Sequence, residues 1–307
     1  MLRCALAGSF IGRNAGLQGE IERCRDLDTA VSAALAAGEI VRDFYEKATA
    51  ATYEKYDGSP VTDADLAADQ AIRKVLTHYF PNDAILSEEG LDDDRRFTAP
   101  RCWIVDPIDG TEQFIQGTGE FDVLVALVEN GRPQVVAGYQ PTAKLMVTAI
   151  AGGGAWARHD RGEWQQVRFE PAGNRLRLAT SKWFGAPGND AVVQSLAGRL
   201  GVAPEPPTVT GLSPRMFLPP RALDAMIGVR PGDDQTMASE WDFAVADLVF
   251  HEAGGMVTDL TGARYRYNKP VPKNFGGLVA AVDPDTHRRV LVALQDVRDE
   301  ALADPSP

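Results

Sequence analysis

The segment WIVDPIDGTEQF, residues 103–114, constrains the fold more than any other stretch of the chain. Its apolar start predicts a buried strand, and that strand runs into two aspartates, Asp106 and Asp109. No basic residue lies between Arg101 and Arg132 to neutralise them. Two carboxylates at short range disfavour each other's ionisation unless a cation lies between them. The segment therefore predicts either a divalent-cation site at the end of a strand or a polar turn followed by a capped helix.

The turn that follows the first aspartate has residues suited to ion and phosphate binding. Pro107 stiffens the chain and removes an N–H from a crowded position, and Gly110 permits an unusual backbone angle. Thr111, if it opens a helix, offers a hydroxyl and a free backbone N–H, and helix N-termini bind anions. Hard cations such as Mg²⁺ take oxygen ligands. Carboxylates for a metal beside N–H groups for a phosphate indicate a phosphoryl-transfer site.

Two further acidic segments adjoin elements of predicted secondary structure. The segment LSEEG places Glu88 and Glu89 directly after a predicted strand, and EWD places Asp242 at the start of a predicted helix. Taken alone, the first is typical of a solvated loop and the second of a helix N-cap. Their occurrence in one chain with the Asp106–Asp109 turn favours a shared cation site over these simpler interpretations.

The composition of the chain limits the classes of protein to which it can belong. The chain has 307 residues, 44% hydrophobic and 24% charged, which is enough apolar material for a large core. Its formal net charge of −12 disfavours nucleic-acid binding, which needs clusters of Lys and Arg. No apolar run approaches the roughly 18 to 20 residues that span a bilayer. Cys4, Cys24 and Cys102 form no CxxC pair, so we expect a reducing, cytoplasmic location.

Periodicity and turn signals divide the chain into helices and strands. Helical spacing predicts a helix over residues 26–47, and Thr62 or Asp63 can cap a second helix that ends before Pro81. Asn130–Gly131 predicts a hairpin between two strands, and Gly254–Gly255 predicts the end of a late helix.

The same signals suggest how the chain is organised into lobes. Enrichment in Pro and Gly between Pro187 and Pro220 predicts passage into a second lobe. We expect an N-terminal extension (1–25), an N-terminal metal-binding α+β lobe (26–185), a C-terminal α/β lobe (186–298) and a tail (299–307).

Taken together, four segments resemble the inositol monophosphatase family of Mg²⁺-dependent, lithium-sensitive phosphatases. They are, in chain order, DGSPVTDADLAAD, ILSEEG, WIVDPIDGTEQF and WDFAVADLVFHEAGG. The resemblance runs from about Asp28 to Leu294. It implies a layered α-β-α-β-α sandwich of the inositol monophosphatase and fructose-1,6-bisphosphatase type. It also implies a homodimeric phosphomonoesterase that hydrolyses a small phosphorylated metabolite with metal-activated water.

The resemblance assigns roles to individual residues. It implies two or three Mg²⁺ ions, one held by Glu88, Asp106 and the carbonyl of Ile108, and another by Asp106, Asp109 and Asp242. Asp57 matches an acid that helps to hold a third ion or the attacking water. Thr111 would orient that water, so that the expected catalytic residues are Asp57, Glu88 and Thr111. The expected substrate contacts are Gly110, Thr111 and Asp242.

The substrate is suggested by local resemblances to branches of the family. The runs GEFDVLVALVENG and SEWD are similar to the 3'(2'),5'-bisphosphate nucleotidase branch, whereas AGYQP is similar to the histidinol-phosphate phosphatase branch. Met216, in GLSPRMF, stands where the family usually has Lys. We expect adenosine 3',5'-bisphosphate to be a better substrate than inositol 1-phosphate. Candidate base platforms are Trp183, Phe184 and Phe217, and candidate contacts for a second phosphate are Lys182, Arg215 and Arg230.

Other functions are compatible with the same segments. Inositol-1-monophosphatase and histidinol-phosphatase activities are the alternatives within the phosphatases. A regulatory protein that retains the fold without catalysis, such as a factor associated with RNA polymerase, is the alternative of a different class. The acidic set favours catalysis, and the acidic pI disfavours direct contact with RNA.

Overall fold

The computed structural model of the chain describes residues 17–56, 58–173, 175–182, 190–202, 206–209, 211–218, 223–228 and 236–303. Several residues that the sequence nominated for the site lie outside these ranges: Asp57, Trp183, Phe184 and Arg230. The described residues form helices and multi-stranded sheets in a mixed α/β fold, so the predicted α/β class is confirmed.

The helices and strands are numbered separately in chain order. Helices α1 to α6 occupy Leu17–Lys47, Asp63–Tyr79, Thr111–Ile115, Asp190–Leu200, Glu240–Ala253 and Pro284–Ala303. Strands β1 to β9 occupy Thr52–Glu54, Pro60–Thr62, Ala84–Ser87, Arg101–Asp109, Asp122–Glu129, Arg132–Gln140, Leu145–Ile150, Gly154–His159 and Gln165–Val167. Strands β10 to β16 occupy Leu178–Ser181, Thr208–Val209, Ala225–Gly228, Thr236–Ser239, Met256–Thr258, Lys273–Phe275 and Leu278–Ala281. Short 3-10 helices lie at Asp94–Phe97 and Pro214–Phe217.

Two helix boundaries agree with the local sequence signals, and one differs. Helix α2 starts after Thr62, whose side chain accepts a hydrogen bond from a backbone N–H of the first turn, which is the predicted cap. Helix α5 ends before Gly254, which adopts a positive φ of 98° as a C-terminal stop should. Helix α1 begins at Leu17 rather than near Asp26, so residues 17–25 of the expected extension are helical.

The chain divides into two compact units, neither of which is continuous in sequence. The first comprises Met1–Val167, Glu240–Glu252 and Arg266–Pro272, and the second comprises Arg168–Ser239, Ala253–Tyr265 and Lys273–Pro307. The first division therefore falls at Val167, whereas the predicted lobes meet at 185. Helix α5 belongs almost entirely to the first unit, although it follows most of the second in the chain.

The first unit is built on a sheet with the strand order β3-β4-β5-β6-β7-β8-β9 within the described residues. Only the pair β3–β4 is parallel there, and the other neighbours are antiparallel. Strands β5 and β6 are joined by Asn130 and Gly131, which have φ values of 54° and 74°. Positive φ at both turn residues is the geometry that favours Asn-Gly in hairpins, so the predicted hairpin is confirmed.

The two faces of this sheet carry different helices. On one face Trp103, Val105 and other alternate residues pack in a single apolar cluster with α1 and α2. The opposite face approaches α5, since a Cβ placed on Gly138 would lie 3.2 Å from Val245. Successive residues of a strand point to opposite faces. Val105 points towards α1 and α2. The residues on either side of it in β4 therefore project from the opposite face, which packs against α5.

The second unit contains a separate sheet and its own core. Its strand order over the described residues is β11-β10-β12-β16-β14, in which β10 is parallel to β11 and β12. Leu196 of α4 and Val290 and Leu294 of α6 pack on this sheet's buried residues. Among the helices that the structure describes, none combines the length and apolar character needed to cross a bilayer.

Candidate metal centre

The end of β4 contains an irregularity that decides where its two aspartates point. Asp106 pairs with Leu124 and Asp109 pairs with Asp122, so an interval of three residues on β4 lies opposite an interval of two on β5. An extra residue of this kind is a β-bulge, and it shifts the alternation of side chains by one position. Asp106 and Asp109 consequently lie on one face, although their spacing in a regular strand would place them on opposite faces.

Three carboxylates converge at this bulge and define the candidate metal centre. Asp106, Asp109 and Asp242 each offer an oxygen atom, and the three oxygens lie within 4.8 Å of one another. Asp242 is in the first turn of α5, which packs on the same face of the sheet. The sequence predicted that these residues belong together, and the fold brings them to one place.

Asp106 is the buried member of the centre, with 1% of its surface exposed. Burial raises the pKa of its carboxyl well above the usual range, and the nearby carboxylates of Glu88, Asp109 and Asp242 raise it further. The Asp106 carboxylate also accepts a hydrogen bond of 3.0 Å from the backbone N–H of Ile108, which fixes its orientation inside the turn. A buried carboxylate crowded by others is the electrostatic setting in which a cation is strongly favoured.

Glu88 lies beside this cluster and is engaged by a lysine that the sequence analysis did not single out. The Lys55 ammonium lies 2.7 Å from Glu88 and 2.6 Å from Glu89. Burial lowers the pKa of Lys55, but the two carboxylates outweigh that effect and raise it overall. Lys55 therefore supplies a positive charge to the loop after β3, where a cation ligand is predicted.

Thr111 makes a contact that identifies a further residue of the site. Its hydroxyl oxygen lies 3.1 Å from a carboxylate oxygen of Asp65 and 3.2 Å from the carbonyl oxygen of Ile108. Asp65 is buried, and burial raises its pKa, while hydrogen bonds from Thr62 and Thr111 lower it. A carboxylate is a stronger acceptor than a backbone carbonyl, so we infer that the Thr111 hydroxyl donates its hydrogen bond to Asp65 rather than to Ile108.

Asp65 was missed by sequence reasoning, although a local signal exists. Thr62 and Asp65 form a capping box at the start of α2, in which the Asp65 carboxylate accepts the Thr62 backbone N–H at 2.8 Å. A capping box explains the residue fully in structural terms. Only the contact with Thr111, 46 positions away, shows that the same carboxylate reaches the candidate metal centre.

Gly110 links the bulge to α3 and needs to be glycine. Its φ is 98°, and a Cβ at this position would lie 3.0 Å from the carbonyl oxygen of Glu120. The turn therefore combines the unusual backbone angle predicted for Gly110 with close packing against the following loop. Every ligand offered around it is an oxygen atom, and this donor set suits Mg²⁺ rather than a soft metal.

A model of the inositol monophosphatase family matches residues 24–190, which is more than half of the chain. The chain belongs to the inositol monophosphatase family. As a member of this family, the chain is a phosphoric monoester hydrolase. Members of the family are in general Mg²⁺-dependent, in keeping with the acidic cluster.

Similar members of the family include proteins that are named for different functions. The 3'(2'),5'-bisphosphate nucleotidase CysQ of Aggregatibacter actinomycetemcomitans is 32% identical over 79% of this chain and 87% of its own length. The Nus factor SuhB of Escherichia coli K12 is 29% identical over 90% of this chain and 98% of its own length. The solved structure of CysQ from Bacteroides thetaiotaomicron is 28% identical, has a TM-score of 0.67, and covers 84% of this chain and 97% of its own.

Three of the residues that the sequence suggested for substrate binding, Lys182, Arg215 and Phe217, lie in described parts of the second unit. Phe217 is 4% exposed and packs near Phe169, with ring centroids 6.2 Å apart, so its ring is not available as a platform for a base. That prediction is wrong because the ring belongs to the interior. Lys182 and Arg215 are half-buried residues of the second unit, and their predicted phosphate contacts stay predictions.

Proposed function

We propose that the chain is an Mg²⁺-dependent phosphomonoesterase with the specificity of a 3'(2'),5'-bisphosphate nucleotidase. The observation that carries this proposal is the convergence of Asp106, Asp109 and Asp242, whose carboxylate oxygens lie within 4.8 Å of one another. Similarity to CysQ over most of both chains supports the choice of substrate.

The proposed ligands divide the acidic residues between ions. Glu88, Asp106 and the carbonyl of Ile108 would hold one Mg²⁺, and Asp106, Asp109 and Asp242 would hold a second. Asp57, which lies outside the described residues, would help to hold a third ion or the attacking water. When bound, Mg²⁺ supplies positive charge that offsets the charge of the phosphate and activates water. Titration calorimetry with Mg²⁺ on the whole chain measures the number of ions.

The protein's own part in the reaction follows from the Thr111–Asp65 contact. Because the Thr111 hydroxyl donates its hydrogen bond to Asp65, a lone pair of the Thr111 oxygen is left to accept a hydrogen bond from water. Thr111 would thereby orient the attacking water, and Asp65 would hold Thr111 in that orientation. The proposed contacts to the substrate are Gly110, Thr111 and Asp242. Glu88 is proposed as a catalytic residue.

A substrate panel tests the proposal. Phosphate release is measured with adenosine 3',5'-bisphosphate, inositol 1-phosphate, histidinol phosphate and fructose 1,6-bisphosphate, each with Mg²⁺ and with EDTA. We expect the highest specificity constant for the bisphosphate nucleotide, and no release in EDTA. A specificity constant at least tenfold higher for inositol 1-phosphate would contradict the nucleotidase assignment and leave the metal centre standing.

A regulatory role is a second candidate, supported by similarity to a Nus factor over nearly the whole of that protein. The net charge of −12 favours a protein partner over RNA in such a role. Mg²⁺ binding without phosphate release from any of the four substrates would favour it. We also expect a cytoplasmic homodimer, which light scattering and cell fractionation measure.

A further inference from the structure

We propose that Arg96 and Glu240 are positioning residues that hold Asp242 in the candidate metal centre through the segment Asn268–Pro272. This inference rests on the proposed metal centre and adds residues that do not touch it. Arg96, Glu240 and the segment Asn268–Pro272 all belong to the first unit.

Glu240 is the first residue of α5, two positions before Asp242, and it is fully buried. Its carboxylate accepts the backbone N–H of Asn268 at 2.5 Å and that of Lys269 at 3.1 Å. The Lys269 ammonium lies 2.6 Å from the same carboxylate, and the Glu240 N–H donates to the carbonyl of Pro272 at 3.0 Å. The start of α5 is thus tied to this segment by both its side chain and its backbone.

Arg96 holds the same segment from the other side. Its side chain is 1% exposed and donates to the side-chain oxygen of Asn268 at 2.8 Å and to the carbonyl of Lys269 at 2.8 Å. It also forms a bidentate ion pair with Asp92, at 2.6 and 2.8 Å. Asn268 returns a hydrogen bond from its amide to the carbonyl of Arg96 at 2.9 Å.

These contacts form a continuous connection from the loop after Glu88 to the start of α5. Arg96 lies in the short helix that follows that loop, and Glu240 anchors the turn that carries Asp242. The first turn of a helix frays readily because its backbone N–H groups lack partners within the helix. Fixing this turn is what keeps a carboxylate from a distant part of the chain within reach of Asp106 and Asp109.

A buried ion-pair network could instead serve stability alone, and Arg101 offers a matched comparison. Arg101 is a partly buried arginine with carboxylate partners at Asp26 and Asp83, 2.7 and 2.9 Å away. It begins β4, whereas Asp106 lies five residues along the same strand, roughly 17 Å away at about 3.3 Å per residue. Loss of Arg101 removes ion pairs from the same unit without touching the segment Asn268–Pro272.

The test measures Mg²⁺ affinity by titration calorimetry and the unfolding temperature in EDTA for the full chain. The variants are Arg96→Met, Glu240→Gln and, as the control, Arg101→Met. We expect the first two to weaken Mg²⁺ binding by about tenfold or more, the scale of losing a residue that orients a metal ligand. Arg101→Met should lower the unfolding temperature and leave the affinity unchanged. Activity should follow, with a higher Mg²⁺ requirement and a turnover near the parent's at saturating Mg²⁺.

Each outcome decides the inference. Unchanged affinity in Arg96→Met and Glu240→Gln, beside normal binding by the parent, would overturn the positioning role and leave the metal centre intact. Equal weakening by Arg101→Met would overturn it too, because the effect would be one of general stability. Failure of the parent itself to bind Mg²⁺ would overturn both proposals. Glu240→Gln keeps the shape of the side chain, and it decides the matter if Arg96→Met does not fold.

Discussion

The hydroxyl of Thr111 lies 3.1 Å from the buried carboxylate of Asp65, a residue that also caps the helix in which it sits. One side chain thereby joins a structural role at the start of α2 to a polar contact at the end of β4. Rigid support of this kind holds reactive groups in one orientation, which is what positioning of water requires.

The role of Thr111 leads to the first prediction. Thr111→Val keeps the shape of the side chain but removes the hydroxyl, and we expect turnover to fall by about a hundredfold or more, the scale of a lost proton-transfer or water-orienting group. Thr111→Ser should retain most activity because it keeps the hydroxyl. Phosphate release measures turnover, and calorimetry should show unchanged Mg²⁺ affinity. A fully active valine variant would exclude this role.

Removal of Asp106, the proposed shared metal ligand, gives the second prediction. The parent should be inactive in EDTA and recover with Mg²⁺, and Asp106→Asn should lower turnover by roughly a thousandfold because several kcal/mol of charge stabilisation is lost. Asp83→Asn is the matched control, since Asp83 contacts Arg101 and Trp103 at the opposite end of β4. Phosphate release that persists for Asp106→Asn in chelator would sink the metal mechanism.

Replacement of Lys55 should strengthen Mg²⁺ binding rather than weaken it. Its ammonium neutralises Glu88 and Glu89, so it competes with an incoming cation for the same oxygens. We expect Lys55→Met to tighten Mg²⁺ binding by about tenfold, or about 1.4 kcal/mol, somewhat more than an exposed ion pair contributes because these side chains are partly buried. Lys74→Met, at an exposed position of α2, should leave the affinity unchanged. Weaker Mg²⁺ binding by Lys55→Met would show that Lys55 supports the ion instead.

His287 predicts a dependence of stability on pH that is separate from the metal centre. It is buried in the first turn of α6, where its ring nitrogen Nε2 lies 2.8 Å from the Thr258 hydroxyl, and burial lowers its pKa. A lowered histidine pKa means that the folded state resists protonation. The contribution to stability is therefore present above about pH 6.5 and is lost as the pH falls.

The measurement compares unfolding by denaturant at several pH values for the parent and His287→Gln. Between about pH 7.5 and pH 5.5 the parent should lose more unfolding free energy than the variant, because only the parent gains a proton on unfolding in this range. Parallel profiles would mean that His287 is protonated equally in both states. His251→Gln, at an exposed position of α5, serves as the control.

Local signals predicted those features of the fold that depend on local chemistry. The cap at Thr62, the hairpin at Asn130–Gly131 and the stop at Gly254 each follow from one or two residues whose backbone preferences decide the outcome. Their prediction needs no knowledge of what packs against them. The start of α1 was placed too late because the first part of that helix lacks the Ala-rich spacing of the rest.

The candidate site also contains residues that local signals predict and residues that only tertiary contacts reveal. Asp106 and Asp109 are recognisable from a strand that ends in carboxylates, but the bulge that turns both to one face depends on pairing with β5. Lys55 and Asp65 were missed because their partners are distant in sequence. Their local surroundings indicate only a strand end and a helix cap, so tertiary contacts alone reveal the second role.

The discontinuity of the first unit has a consequence for the order of events during protein synthesis. Asp106 and Asp109 leave the ribosome roughly 130 residues before Asp242 does, an interval on the order of ten seconds at about 5 to 20 residues per second. Over that time the nascent sheet holds two crowded acids without the helix that completes their cluster. An ion can therefore bind the full set of carboxylates only late, after α5 has been translated and has packed against the sheet.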